Sequence, residues 1–258
     1  MRLPRLSPIL FAVTALGISS VITQITVTRE LLNIFDGNEL VMGLIISIWL
    51  VLTGAGSFLG RFQGRGNQLV LFTLIAVAFL PFGHLIALRW SRQILAIRGA
   101  GVNPGILLVL LPPLLAPYCL LSGYLLTLTC SLLGNEDDPT SIGRVYVADN
   151  LGDILGGALF SFVLIWITDT FGALYLPAGL AIAGAALIAN RFGYRLLSYG
   201  VWTLAIPPAL LAVTDVNRSS LSQLFPYQRI EHVRESPYGR IVVTADEQQV
   251  NFFQNGVP

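Results

Sequence analysis

The sequence predicts an all-α polytopic membrane bundle of about seven transmembrane helices, followed by a short β-hairpin segment. Three observations carry this. Hydrophobic residues make up 54% of the 258 residues and charged ones only 11%, with a mean hydropathy of +0.73. A soluble domain carries about a quarter charged residues. The charges sit in short clusters between long apolar runs, and only the last stretch has the alternation of soluble β-structure. Residues 1–215 therefore form the expected membrane domain, and residues 216–258 the start of a β-domain.

Seven runs approach the roughly 20 apolar residues that cross a bilayer. They are Ser7–Thr28, Leu40–Leu59, Leu69–Leu88, Gly105–Leu133, Val145–Ile167, Phe171–Ala189 and Leu196–Val213. The first is long and ends in Arg29-Glu30, without the small-residue site of a cleaved signal peptide. Gln24 falls inside this span, where a polar group faces the bundle interior and finds a partner. Arg29 and Glu30, near its edge, are expected to anchor the interface and pair locally. The loop after the second run reads "GSFLGRFQGRG", Gly56 to Gly66. It is similar to the loop between helices two and three of major facilitator transporters. Gly60 stands where that motif has Asp, so the motif's ion-pair latch is incomplete. The third run carries a lone His84 beside Pro81 and Gly83, expected as a hydrogen-bonded packing residue. The fourth holds Pro112, Pro113 and Pro117 and is expected to kink and tilt. Cys119 and Cys130 lie eleven residues apart in it, roughly 16 Å along a helix, too far for a disulfide.

The fifth run is the most informative. Ile154 to Ile167 is only fourteen residues, too few to span, so the run must reach back through Asp153, Asn150 and Asp149. Asp149 and Asp153 are i,i+4 neighbours, about 6 Å apart on one face. Carboxylates this close in a low dielectric share a proton or a cation. Gly152, Gly156 and Gly157 allow a neighbouring helix or a ligand to approach. The triplet Asp149, Asn150 and Asp153 is thus a candidate intramembrane cation or proton site. Gln24, Arg29, Glu30 and Arg144 are its candidate supporting residues. The plainer alternative is an interfacial pair neutralised by Arg144.

All fifteen basic residues are Arg, and the net charge of +1 carries no nucleic-acid footprint. Arg2 and Arg5, Arg61 and Arg65, and Arg191 and Arg195 fall on one side if the N-terminus is cytoplasmic. Arg89, Arg92 and Arg98 fall on the other and break the pattern. The sequence contains no glycine-rich phosphate loop, metal-ligand cluster or nucleophile–base pair.

Near the end, Ile241–Thr244 and Val250–Phe253 are β-formers around a turn at Ala245–Gln248, and Asn255-Gly256 signals a type I′ hairpin turn. "FPYQRIEHVRESPYGRIVVTADEQQVNFFQNGVP", Phe225 to Pro258, resembles the N-terminal β-hairpins of spermidine synthases, the polyamine aminopropyltransferases. Glu235, Ser236, Tyr238, Ile241, Asn255, Gly256 and Val257 fit that pattern. "TRELLNIFDGNELVMGLIISIWLVLTGAGSFLGR" and "GRVYVADNLGDILGGALFSFVL" look like the membrane region of the membrane-bound homologues. The resemblance implies a Rossmann-like domain after the hairpins, binding decarboxylated S-adenosylmethionine and deprotonating the amine. None of those motifs lies within these residues, and the family's nucleoside-contacting Gln is Gly239 here. No catalytic residue is transferred, and the chain alone is expected to be inactive. It is expected to be a fragment, with its terminal hairpin packed weakly. Two functions follow: a bacterial inner-membrane module anchoring an aminopropyltransferase, or a stand-alone transporter of polyamines or other cations.

Overall fold

The computed structural model describes residues 8–35, 37–62, 66–95, 103–133, 140–204, 206, 208, 214–246 and 249–256. It is mostly helical. The helices are α1 (Pro8–Ile34), α2 (Glu39–Gly60), α3 (Asn67–Leu95), α4 (Pro104–Leu133), α5 (Thr140–Leu159), α6 (Gly172–Arg191), α7 (Arg195–Thr203) and α8 (Val216–Ser222). A π-helical turn, Phe160–Leu164, and a last α-turn, Ile165–Ile167, extend α5. Six helices are long and apolar enough to cross a membrane, and they match the first six predicted runs. Of the seventh run, α7 covers the start, and most of residues 205–213 lie outside the described residues. The prolines at 112, 113 and 117 lie within one continuous α4.

Glycine sets the tightest contacts. A Cβ at Gly17 on α1 would lie 2.4 Å from the Asp149 carbonyl oxygen, and one at Gly152 on α5 would lie 2.3 Å from that of Thr14. Only glycine lets these two backbones touch. The contact of α4 with α2 repeats this atom for atom: Gly123 meets the Thr53 carbonyl at 2.0 Å, and Gly56 meets that of Leu120 at 2.1 Å. Gly156 against Ile18 likewise matches Gly60 against Tyr124. Adding 106 to an α1 number gives its α4 mate, and adding 96 to an α2 number gives its α5 mate. In the same scheme α6 packs on α1 as α3 packs on α4. Helices α1–α3 and α4–α6 are therefore two related halves. Each half has three helices long and apolar enough to cross a membrane; three crossings apiece would invert the second half relative to the first. The shared sequence is short: Gly56-Ser-Phe-Leu-Gly60 against Gly152-Asp-Ile-Leu-Gly156.

The C-terminal part is a three-stranded antiparallel sheet, order β1-β2-β3, with β1 (Arg229–Ser236), β2 (Gly239–Asp246) and β3 (Gln249–Gln254). The predicted hairpin is β2–β3, and β1 is an additional edge strand, bulged between Ile230 and His232. Val233, Val242 and Phe253 align across the strands and, with Ile230, pack on Leu221 and Phe225 of the preceding segment. Asn255 and Gly256 have φ of 53° and 82°, the left-handed pair the dipeptide predicted. A Cβ at Gly256 would lie 2.5 Å from the Asn33 carbonyl, so glycine lets this turn rest on the end of α1. The expectation of weak packing is overturned, because Arg240 of β2 is buried against the bundle.

Candidate functional site

The ends of α1 and α3, the start of α6, helix α8 and the sheet converge at one end of the bundle. Glu30, in the last turns of α1, is fully buried there. A lone buried carboxylate is costly, and this one is matched by two guanidinium groups. Arg89 of α3 donates through Nε to Glu30 Oε1 at 2.7 Å. Arg240 of β2 donates through Nη1 to the same oxygen at 3.2 Å and through Nη2 to Oε2. The arginines' remaining donors are also placed. Arg89 donates to the carbonyl and side-chain oxygens of Asn217 on α8, at 2.9 and 2.8 Å, and to the Ser220 hydroxyl. Its guanidinium lies 5.1 Å from the Phe171 ring centre. Arg240 donates through Nε to Glu235 of β1 at 2.6 Å and through Nη2 to Thr170 at 2.7 Å. The Thr170 hydroxyl in turn donates to Glu235 at 3.0 Å. Burial works against a charged Arg240, but the Glu30 and Glu235 carboxylates outweigh it and hold its pKa above the ordinary arginine value.

Two expectations are corrected here. Arg29 and Glu30 do not form a local pair. Consecutive residues point about 100° apart around a helix, so Glu30 points into the bundle while Arg29 reaches the β1–β2 turn. There Arg29 donates to the carbonyls of Ser236 and Pro237 at 2.6 and 3.2 Å and lies 3.9 Å from Glu235. Arg89 does not belong to a loop; it lies within α3 and is buried. Its charge serves Glu30 rather than the membrane face, which explains why it breaks the Arg pattern. Arginine has no proton to exchange near neutral pH. Arg89 and Arg240 therefore clamp Glu30 as fixed cations.

The predicted intramembrane acids lie elsewhere. Asp149 and Asp153 do share one face of α5, half-buried beside the α1 seam at Gly17. Glu30 is 13 residues further along α1, about 20 Å away by helical rise. In the related half their mates are Thr53 and Ser57. The seam thus closes with hydroxyl residues in one half and carboxylates in the other, so the crossing itself does not require acids. Asn150 does not join them. It is exposed on the outer face of α5, and its Nδ2 donates to the Tyr146 carbonyl of its own helix at 2.7 Å. Arg144 is exposed on α5, and Gln24 is half-buried on α1. His84 is buried, with Nε2 lacking a hydrogen-bond partner. Cys119 and Cys130 are both free thiols.

Beside the clamp, an open cavity of about 460 Å³ lies between β1, the end of the fifth span and the start of α8. Trp166, Asp169, Asp215, Arg218, Arg234 and Glu235 are among its walls. Asp169 and Asp215 also cap helices, accepting from the backbone N–H of Gly172 at 2.6 Å and of Arg218 at 3.0 Å. Among the described residues no group of three or more His, Cys, Asp or Glu side chains is placed to hold a metal. No known protein family, curated protein or solved structure matches the chain.

Proposed function

We propose that the chain is the membrane module of a spermidine-synthase-like protein, and that its bundle anchors and orients an aminopropyltransferase domain through the sheet. The observation that carries this reading is the sharing of Glu30 between Arg89 of the bundle and Arg240 of the sheet. A flexible tether needs no such contact. A buried, doubly paired carboxylate fixes the orientation of the sheet on the bundle. The likeness of residues 225–258 to the aminopropyltransferase hairpins supplies the identity of the domain so held, with decarboxylated S-adenosylmethionine and an amine as its substrates. The Arg distribution supports a cytoplasmic N-terminus in a bacterial inner membrane. Ser198 of α7 bonds Ala186 far from the sheet, while Asn217 of α8 bonds Arg89 beside it. These described residues on either side of the seventh predicted run lie near opposite ends of the bundle, which supports a seventh crossing and an external sheet.

The test is aminopropyl transfer to putrescine in membrane fractions of the source cells. Transfer that sediments with membranes and disappears on deletion of the gene supports the reading; transfer unchanged by deletion refutes it. A second reading, a stand-alone carrier of polyamines or other cations, is favoured by the related halves with Asp149 and Asp153 at one seam. Spermidine uptake by vesicles holding the chain should then fall in Asp149→Asn/Asp153→Asn. Uptake that persists in that variant removes this reading.

A further inference from the structure

Asn150 raises a problem that neither reading uses. It lies eight residues inside the span Ile142–Ile167, about 12 Å deep by helical rise. Its side chain is on the outward face of α5, where the bilayer offers no hydrogen-bond partner. One N–H is spent on the Tyr146 carbonyl. The amide oxygen and the second N–H remain, one acceptor and one donor. The scaffold does not demand this group: the equivalent position on α2 is Gly54, 96 residues earlier, which is also outward-facing.

The surroundings of Asn150 suit a close helical neighbour. Gly143, Val147, Asn150, Ile154, Ala158 and Ser161 are all exposed and recur at helical spacing along one stripe. Val147 and Ile154 flank the amide, small residues lie about two to three turns away at Gly143, Ala158 and Ser161, and a Cβ at Gly143 would meet nothing within 4 Å. Only 22% of the most apolar stretch of α5 is buried within the bundle, the same as for its mate α2, against 56% for α1 and 61% for α6.

We propose that this face of α5 is the contact between two copies of the chain, with Asn150 paired to Asn150 of the partner subunit. An amide is self-complementary. A two-fold axis along the membrane normal sets each oxygen opposite the other copy's N–H, satisfying both. The same axis keeps both chains in one orientation in the bilayer, with α5 parallel to its copy and each residue facing its own number. A lipid tail satisfies neither amide group, and an unrelated helix would need a matching donor–acceptor pair by coincidence.

The experiment uses the full chain in lipid nanodiscs and native membranes, with Cys119 and Cys130 replaced by Ala. Ile154→Cys, one turn from Asn150 on the stripe, should form a disulfide-linked dimer on mild oxidation. Val51→Cys, equally exposed on α2, should not. Asn150→Leu should lower the dimer fraction about fivefold at fixed protein-to-lipid ratio, and Asn150→Gln should restore much of it. A monomeric mass in nanodiscs, no Ile154→Cys dimer, or an undiminished dimer in Asn150→Leu each overturns the proposal. A monomer would mean that lipid or a different protein covers this face.

Discussion

Replacing Glu30 by Gln keeps the shape of the clamp and removes its central charge. The Glu30 carboxylate attracts two guanidinium groups, each through a contact of hydrogen-bond length. With charge centres roughly 4 Å apart and an effective dielectric of about 20, each attraction is about 4 kcal/mol. The carboxylate's own desolvation offsets much of this. The arginines are affected unequally. Arg240 keeps Glu235, whereas Arg89 keeps only the neutral Asn217 and Ser220 groups. A buried cation stripped of its counter-charge costs about 3–5 kcal/mol. At roughly 2–4 °C per kcal/mol, the melting temperature should fall by about 6–20 °C. Tryptophan fluorescence of purified protein in detergent measures it. Arg89→Gln alone should also destabilise, and the double variant should lose much less than the sum, because each partner's cost lies in leaving the other unpaired. A melting temperature of Glu30→Gln within about 2 °C of the parent, or strict additivity, would refute the argument that this carboxylate holds the sheet to the bundle.

Three further outcomes are expected. Gly17→Val and Gly123→Val should each cost at least about 1–3 kcal/mol by forcing a side chain onto a facing carbonyl, while Gly43→Ala, with nothing within 4 Å, should melt with the parent. Arg240 has a folded pKa above its unfolded value, so its contribution is complete below the unfolded value and is lost only as pH rises through the folded one. Raising the pH from 7 to about 10 should therefore not release the sheet through this group; trypsin susceptibility of the sheet measured across that range checks it. In intact cells, on a background without Cys119 and Cys130, a membrane-impermeant thiol reagent should label Tyr238→Cys and spare Asn190→Cys, and the opposite pattern would invert the orientation.

The six long helices were legible because a bilayer demands long apolar runs, and that demand leaves little ambiguity. The β2–β3 pair was legible from its β-formers and from Asn255-Gly256. β1 carries no such signal: in "RIEHVRES" the two apolar residues, Ile230 and Val233, stand three apart rather than two, because the strand bulges between Ile230 and His232. That Asp149 and Asp153 share one face of α5 follows from i,i+4 spacing, a local property. The clamp was not legible. Glu30 lies 59 residues from Arg89 and 210 from Arg240, and no local pattern links them. Two signals point there: an acid at the end of an apolar run, and an Arg that breaks the one-sided pattern of the others. The related halves share little beyond Gly-x-x-Leu-Gly and the Gly17–Gly123 match, because glycine is needed at the crossings and most other positions are free to vary.

The distance of Glu30 from its partners along the chain also fixes an order in time. The first span enters the membrane carrying an acid near its end, when neither arginine has been made. At roughly 5–20 residues per second, Arg89 follows about 3–12 s later and Arg240 about 10–40 s later. In that interval Glu30 has water, headgroups or the insertion machinery for company, and Arg89 is the first fixed cation it meets. The pairing of α1 with α3 therefore precedes docking of the sheet, and the last cation to arrive closes a site that has been half-built since the third span. A ribosome stalled between the two arginines would hold a bundle whose acid is matched once, its sheet-facing side still waiting.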